Sequence, residues 1–209
     1  MSSSTQLKWY STIEAYSENS KDVSIFFKVK ENFGGLSNMS NDFPIQVNGY
    51  KIANTEALYQ ACRFPDYPDI QEEILKQRSG IAAKMKSKKY RKEFTRVDWD
   101  DVRVDIMRFC LQLKLEQNRS EFGALLESTG NTLIVERSSK DSFWGAVWGP
   151  VWYENYDAYV GQNVLGKLLT ELRGQYRNRP TPFVKVEEQY QFVEIPNIVN
   201  FKLLGQNII

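Results

Sequence analysis

Apolar positions recur along this chain in two rhythms, one of about two residues and one of about 3.6, and each change of rhythm marks an element. Residues 23–29 form an apolar run of strand length. The loop Asn32-Phe33-Gly34-Gly35-Leu36-Ser37-Asn38 follows, and its paired glycines permit positive φ and close approach of backbone to a ligand. Residues 43–47 and 50–53 flank Asn48-Gly49, the dipeptide that favours a type I′ hairpin turn. Helical spacing then takes over. Asn54 or Thr55 caps a helix over residues 56–64 that Pro65 stops, Pro68 and Asp69 open a second through about residue 77, and Ser79 caps a third over residues 81–88. Asp98 is the expected cap of a long helix over residues 100–117, where Val102, Ile106, Phe109 and Leu113 make a core stripe. Residues 121–128 read as a short helix, 132–135 as a strand and 163–176 as a last long helix. Beyond Pro182, the alternation through Phe183, Val184, Val186, Phe192, Val193 and Ile195 predicts one or two added strands. The elements sum to an α+β fold, a single compact domain with a small sheet packed by several helices. Residues 1–22 read as a polar lead-in, irregular or partly helical, 23–180 as the domain proper, and 181–209 as a C-terminal extension.

Composition agrees with a folded chain and narrows its chemistry. Apolar residues make up 42% of the 209, enough to bury a core, and the net charge of +1 is far from that of a disordered chain. The first six residues lack an apolar h-region, and no stretch reaches the roughly 18 apolar residues of a membrane span. The expected location is cytoplasmic, or nuclear if the source is eukaryotic, with no membrane partner. Cys62 and Cys110 lie in helical patterns among apolar neighbours and make no disulfide framework. The deciding count is histidine, of which there is none. That excludes Ser-His-Asp and Cys-His catalysis, His-bearing zinc sites and the facial iron triad, and two cysteines alone cannot build a thiolate zinc site. No metal or cofactor is expected. An acid or base must come from Asp, Glu, Lys, Tyr or Cys, carboxylates being the commonest choice after histidine.

Four groups of residues carry candidate chemistry. In Thr55-Glu56-Ala57-Leu58-Tyr59-Gln60-Ala61-Cys62-Arg63-Phe64, helical spacing puts Glu56, Gln60 and Arg63 on one face, with Glu56 in the first turn beside the positive end of the helix dipole. In Lys140-Asp141-Ser142-Phe143-Trp144-Gly145 and onward through Trp148, Trp152, Tyr153, Tyr156 and Tyr159, aromatics broken by glycines and Pro150 read as a loop able to stack a base. Gly161-Gln162-Asn163-Val164-Leu165-Gly166 opens a helix whose N-terminus offers free N–H groups to phosphate or ribose. Between Lys76 and Lys92 eight Lys and Arg residues occur with no acid, a basic run suited to phosphate or to solvent.

Taken together, these segments resemble the NADAR superfamily, which includes the YbiA-like N-glycosidases. The resemblance runs over residues 25–176 and rests on Phe26-Phe27, Leu36-Ser37-Asn38, the Thr55 to Ala61 block, Ala82-Ala83-Lys84-Met85, Trp99, Asp141-Ser142-Phe143-Trp144-Gly145 and the Gly161 to Gly166 block. It implies hydrolysis of an N-glycosidic bond, either in early riboflavin-pathway intermediates or in ADP-ribose attached to guanine, and it implicates Glu56, Trp99 and Asp141 in activity. The residue chemistry fits, because breaking a sugar–base bond passes through an oxocarbenium-like state that a carboxylate stabilises. One of Glu56 and Asp141 is expected to stabilise that state or activate water and the other to hold ribose hydroxyls or the leaving base, in an order the sequence leaves open. Lys28 is a further candidate, as an amine attacking the opened C1 of ribose, or a plain surface lysine. Gly35, Ser37, Asn38, Gln60, Gly145, Asn163 and Gly166 are the expected ligand contacts, with Trp144 or Trp148 as the base platform. The expected partner is ADP-ribose or a related nucleotide, carried on a guanine base of DNA for preference. A non-catalytic reader of ADP-ribose or nucleic acid is the competing class, and the presence of both acids argues for turnover.

Overall fold

In the computed structural model, which describes residues 8–151, 157–179 and 193–208, the elements follow the order β1 Glu14–Tyr16, β2 Val23–Phe26, β3 Ile45–Val47, β4 Tyr50–Ile52, α1 Thr55–Ala61, α2 Pro68–Leu75, α3 Gly80–Lys88 and α4 Arg91–Phe94. They continue with α5 Trp99–Gln117, α6 Arg119–Ser128, β5 Leu133–Ser138, β6 Ala146–Pro150, β7 Asp157–Gly161, α7 Val164–Asn178, β8 Lys202–Leu203 and β9 Gln206–Asn207. Five strands form one mixed sheet in the order β1-β7-β6-β5-β2, with β2, β5 and β6 parallel and β7 antiparallel to both β6 and β1. The fold is α+β and the chain packs as a single compact domain.

Local chemistry explains much of this. The β3–β4 hairpin turns on Asn48 at φ 50° and Gly49 at φ 77°, the pair of positive angles a type I′ turn requires. α5 is the spine, burying Ile106, Phe109, Cys110 and Leu113 against α1, α6 and α7. Its start departs from the expected cap. Asp98 makes no side-chain bond to the helix, because Arg96 holds its carboxylate at 2.6 and 2.9 Å. The lead-in is neither irregular nor helical at residues 14–16, where β1 adds the edge strand beside β7. The aromatic stretch expected as a loop supplies two paired strands, β6 and β7. Trp152, Tyr153 and Tyr156 lie outside the described residues, as does the expected strand pattern from Phe183 to Phe192. Val193 and Ile195, at the end of that pattern, lie in no strand, and residues 193–208 carry the short β8–β9 pair and strap across the helices. Gln71 binds the Leu204 N–H (2.6 Å) and the Lys202 carbonyl (3.0 Å), Gln112 accepts the Glu194 N–H (2.9 Å), and Phe201 packs edge-on against Phe109.

A lysine sits inside the core. Lys114, fully buried on α5, donates to the carbonyls of Gly35 (2.7 Å) and Ser37 (3.2 Å) between the rings of Phe43 and Phe122. Burial lowers it to about 7, with only Asp42 pulling the other way. Charge-assisted bonds to two carbonyls thus fasten the loop that ends at Asn38 to the spine.

Candidate active site

The site begins where this loop meets α1. Asn54 accepts the Ala57 N–H at 2.9 Å, closing the helix start with a cap that contributes about 1 kcal/mol. In the first turn Glu56 donates its backbone N–H to the Asn38 carbonyl (3.0 Å), which joins loop to helix. Its carboxylate is buried and accepts from Gln60 Nε2 (2.8 Å), while Gln60 Oε1 takes bonds from Ser87 Oγ (2.7 Å) and Arg91 Nη2 (3.0 Å). Burial raises the Glu56 carboxyl, and Lys84, the Gln60 bond, Arg91 and Arg63 oppose that rise.

The opposite wall comes from β5 and the turn after it. Asp141 Oδ1 accepts the N–H groups of Phe143 (3.1 Å) and Trp144 (3.0 Å), and Ser138 Oγ accepts the Asp141 N–H (2.9 Å). The carbonyls of Ser142, Phe143, Trp144 and Gly145 in turn accept from Gln162, Val164, Leu165 and Asn163 at 2.7–3.2 Å. The turn therefore consumes N–H groups at the start of α7, so that helix start is not the phosphate cradle expected of it. Glu136, on β5, faces the same space.

Between the walls lies a cavity of about 260 Å³, lined by three acids (Glu56, Glu136, Asp141) and four cations (Arg63, Lys84, Arg91, Arg103). Two of the cations are built in. The Arg63 guanidinium lies 4.0 Å over the Trp99 ring and that of Arg103 3.9 Å over Phe143, and the Nε of each is buried without a partner. Burial, with Arg91 and Arg103 close by, lowers Arg63 to about 10. Desolvated donors in this state favour an anion. Asn38 adds a neutral contact, because its Oδ1 is buried and unpaired while Nδ2 meets the Met107 sulfur. An unpaired amide oxygen in a cavity wall suits a hydroxyl donor. No group of three or more His, Cys, Asp or Glu among the described residues is placed to hold a metal ion, so the three acids ring the cavity rather than converge on one point.

The expected site residues divide. Glu56, Asp141, Ser37, Asn38, Gln60 and Trp144 line the cavity together. Trp99 stands behind it, stacked on Arg63 and tilted against Tyr59 at 5.1 Å. Six others lie outside the lining. Lys28 is exposed and pairs with Glu31 at 3.4 Å, which leaves it a surface lysine. Trp148 is 48% exposed on β6 against Tyr159, since the strand turns it away from the cavity. Asn163, buried at φ 50°, spends its side chain on the Glu136 N–H (3.0 Å) and Ile134 carbonyl (2.9 Å). Gly166 packs α7 onto the Ile134 carbonyl, Gly35 lies under Phe43 and Leu125, and Gly145 passes against Glu136, so these glycines serve close packing. Reading the residues alone missed Glu136 and Arg103. The signals were an acid closing an apolar strand five residues before Asp141, and an arginine in the first turns of the helix that Trp99 opens.

Residues 25–177 match the family described as NADAR domain. The chain belongs to this family. The N-glycosidase YbiA of Escherichia coli is 34% identical over 154 residues, 72% of this chain and 86% of that protein. An N-glycosidase of Nostoc punctiforme is 30% identical over 159 residues, 73% and 92% of the two chains. A riboflavin biosynthesis protein of Vibrio vulnificus is 35% identical over 150 residues, 71% of this chain, but the match spans only 37% of that longer protein. The NMR structure of E. coli YbiA superimposes with a TM-score of 0.59 at 32% identity, covering 74% of this chain and 84% of that one. The family match stops before the C-terminal strap, whose contacts with α2 and α5 lie outside it. No helix among the described residues is long and apolar enough to cross a membrane.

Proposed function

We propose that this NADAR protein is an N-glycosidase that releases ADP-ribose from a guanine base, in DNA for preference. One observation carries the reading: the acids Glu56, Glu136 and Asp141 share one cavity with Arg63 and Arg103, each of which keeps a buried, unpaired Nε. The cations are suited to the phosphates of ADP-ribose, Asn38 Oδ1 to a ribose hydroxyl, and a carboxylate to the positive charge that develops at C1 as the bond to nitrogen stretches. Trp144, set edge-on against Tyr59 at 5.6 Å in the cavity wall, is the ring suited to flank a base. The exposed face of α3 supports the extension to DNA, because Lys84 lines the cavity and Lys88, one turn on, is exposed beside it.

A smaller phosphoribosylamino compound is the second reading. It is favoured by a cavity of about 260 Å³, just under the roughly 300–1,000 Å³ usual for ligand sites. It is favoured too by relatives named for riboflavin biosynthesis in V. vulnificus and maize. Release of ADP-ribose from an ADP-ribosylated guanine oligonucleotide and from ADP-ribosylguanosine, and of ribose 5-phosphate from a phosphoribosylaminopyrimidine, followed by chromatography, tests both. Faster release from the guanine substrates is expected. Release from the pyrimidine alone transfers the site to the second reading, and tight binding of ADP-ribose with no release from any substrate makes the protein a reader.

A further inference from the structure

We propose that Glu136 is the general acid of this site, the carboxyl that hands its proton to the departing nitrogen. The inference rests on the N-glycosidase reading and assigns a step that Glu56 and Asp141 leave open. Three features of place support it. β5 runs parallel to β2 with Glu136 opposite Phe26, and the side chain of Asn163 grips the strand at the Glu136 N–H and the Ile134 carbonyl. The turn after Asp141 packs onto it only because residue 145 is glycine, since a Cβ there would come within 3.3 Å of Glu136 Oε2 and nearer still to the Glu136 carbonyl. And its carboxyl, alone of the three acids, has neither a hydrogen bond nor an ion pair among the described residues.

A proton on one of three neighbouring acids settles where the charged form is least supported. Glu56 has the Gln60 bond and the cations Lys84, Arg91 and Arg63, and Asp141 has two backbone N–H donors. Glu136 faces Asp141 from the turn, Glu56 from α1 and only one cation, Lys84 from α3. Burial first, then those two carboxylates, push it up to about 8, against Lys84. At neutral pH it therefore keeps its proton, the form an acid catalyst needs.

The step balances without another reagent. As the C1–N bond breaks, its electron pair leaves with the nitrogen, which takes the Glu136 proton. Water then adds to C1 and loses a proton to a carboxylate of the site, and proton exchange with solvent restores Glu136. The sum is one water consumed, one C–N bond replaced by C–O and one N–H formed.

Glu136→Gln keeps the shape and removes the proton, so its effect depends on how much the leaving group needs one. On ADP-ribosylguanosine kcat is expected to fall at least ~100-fold, the scale of a lost general acid. On a 5′-phosphorylated riboside of 4-nitrophenol, which leaves as a stable anion, the loss is expected to stay within about 3-fold. The fall of kcat/KM on the alkaline side, near pH 8 in the wild type, should vanish in the variant, and Glu136→Asp should restore part of the rate. Near-circular-dichroism spectra and ADP-ribose affinity matching the wild type show that the variant is folded. Equal losses on the two substrates, or an unchanged alkaline limb, overturn the assignment. A wild type that cleaves neither substrate overturns the N-glycosidase reading instead.

Discussion

Two groups of positive charge in this protein have different physical surroundings. On α2, α3 and the turn beyond, Lys76 pairs with Glu72 at 2.8 Å and Lys86 with Glu73 at 3.2 Å, while Lys88, Lys89 and Lys92 stand in solvent. Around the cavity, Arg63 and Arg103 lie on aromatic rings with buried, unpaired Nε groups. The first region is a contiguous run in the sequence. The second is assembled from residues 40 positions apart. Exposed charges are screened within about 10 Å and contribute little individually, whereas a guanidinium with a buried, unpaired N–H favours an anion. Solvent, more than the count of charges, separates a binding site from a charged surface.

If the desolvated region is the working one, the acids facing it should give the largest effects. Glu56→Gln and Asp141→Asn should each lower kcat at least ~100-fold while leaving the fold intact, as expected for one electrostatic or acid–base group. Single-turnover rates with thermal melts alongside measure this. Normal turnover in either variant would move catalysis away from this cavity.

Arg63→Met and Arg103→Met, which keep a flexible apolar body over the ring, should weaken binding of ADP-ribose by roughly 10- to 100-fold, the scale of charge-assisted bonds, and barely alter binding of ribosylguanosine without phosphate. Calorimetric titration of both ligands separates charge from packing. Trp99→Phe, with a smaller ring under Arg63, should give a milder version of the same loss. A folded Phe variant that binds normally would leave Trp99 as a core anchor only.

Legibility of the chain follows the same divide. Elements set by local chemistry could be read directly: the Asn48-Gly49 hairpin, the Asn54 cap, the stripe on α5. So could Glu56 and Gln60, because helical spacing alone puts them on one face of α1. Strands β6 and β7 were hidden by their punctuation, since Gly149 and Pro150 break the alternation that would announce them, and only pairing across the sheet shows Trp148 facing out. Glu136 and Arg103 were illegible for a different reason. An acid at the end of a strand and an arginine in a helix are ordinary in sequence, and only burial against Asp141 or stacking on Phe143 gives them chemical weight. Asn163 shows the reverse error, where a plausible helix cap is spent on bracing a strand.

Lys114 sharpens the comparison because it is desolvated yet lies outside the cavity lining. It binds its proton more weakly in the folded protein, at about 7, than its ordinary 10.5. Unfolding therefore takes up a proton between those values, so this residue makes stability rise with pH across that window, by at most about 1.4 kcal/mol per pH unit, and its full charging cost is present below it. Glu136, held up at about 8, has the opposite sign between its ordinary 4.5 and that value. Comparison with Lys114→Met cancels the Glu136 contribution. Urea unfolding from pH 7 to 10 should show the wild type gaining stability relative to the Met variant. Parallel profiles would mean that the amine stays charged in the core throughout.

The smallest effect is expected from the largest concentration of charge. Lys86, Lys88 and Lys89 lie on and just after α3, outside the cavity lining, and the Lys86 ammonium is already engaged by Glu73. Replacing all three with Glu should change turnover of ADP-ribosylguanosine by no more than about 3-fold, because exposed charges at this remove are screened by salt. An ADP-ribosylated oligonucleotide is different. Its flanking phosphates would run across α3, each neutralised phosphate releasing a counterion, so the triple variant should weaken kcat/KM on that substrate and flatten its dependence on salt. Measuring both substrates across a salt series decides between the two regions. Loss on the oligonucleotide alone gives the lysine run a role in holding DNA while the cavity does the chemistry. Loss on neither leaves it a solvated surface, and equal loss on both would mean that these lysines act on the cavity itself, which would break the division between the two regions.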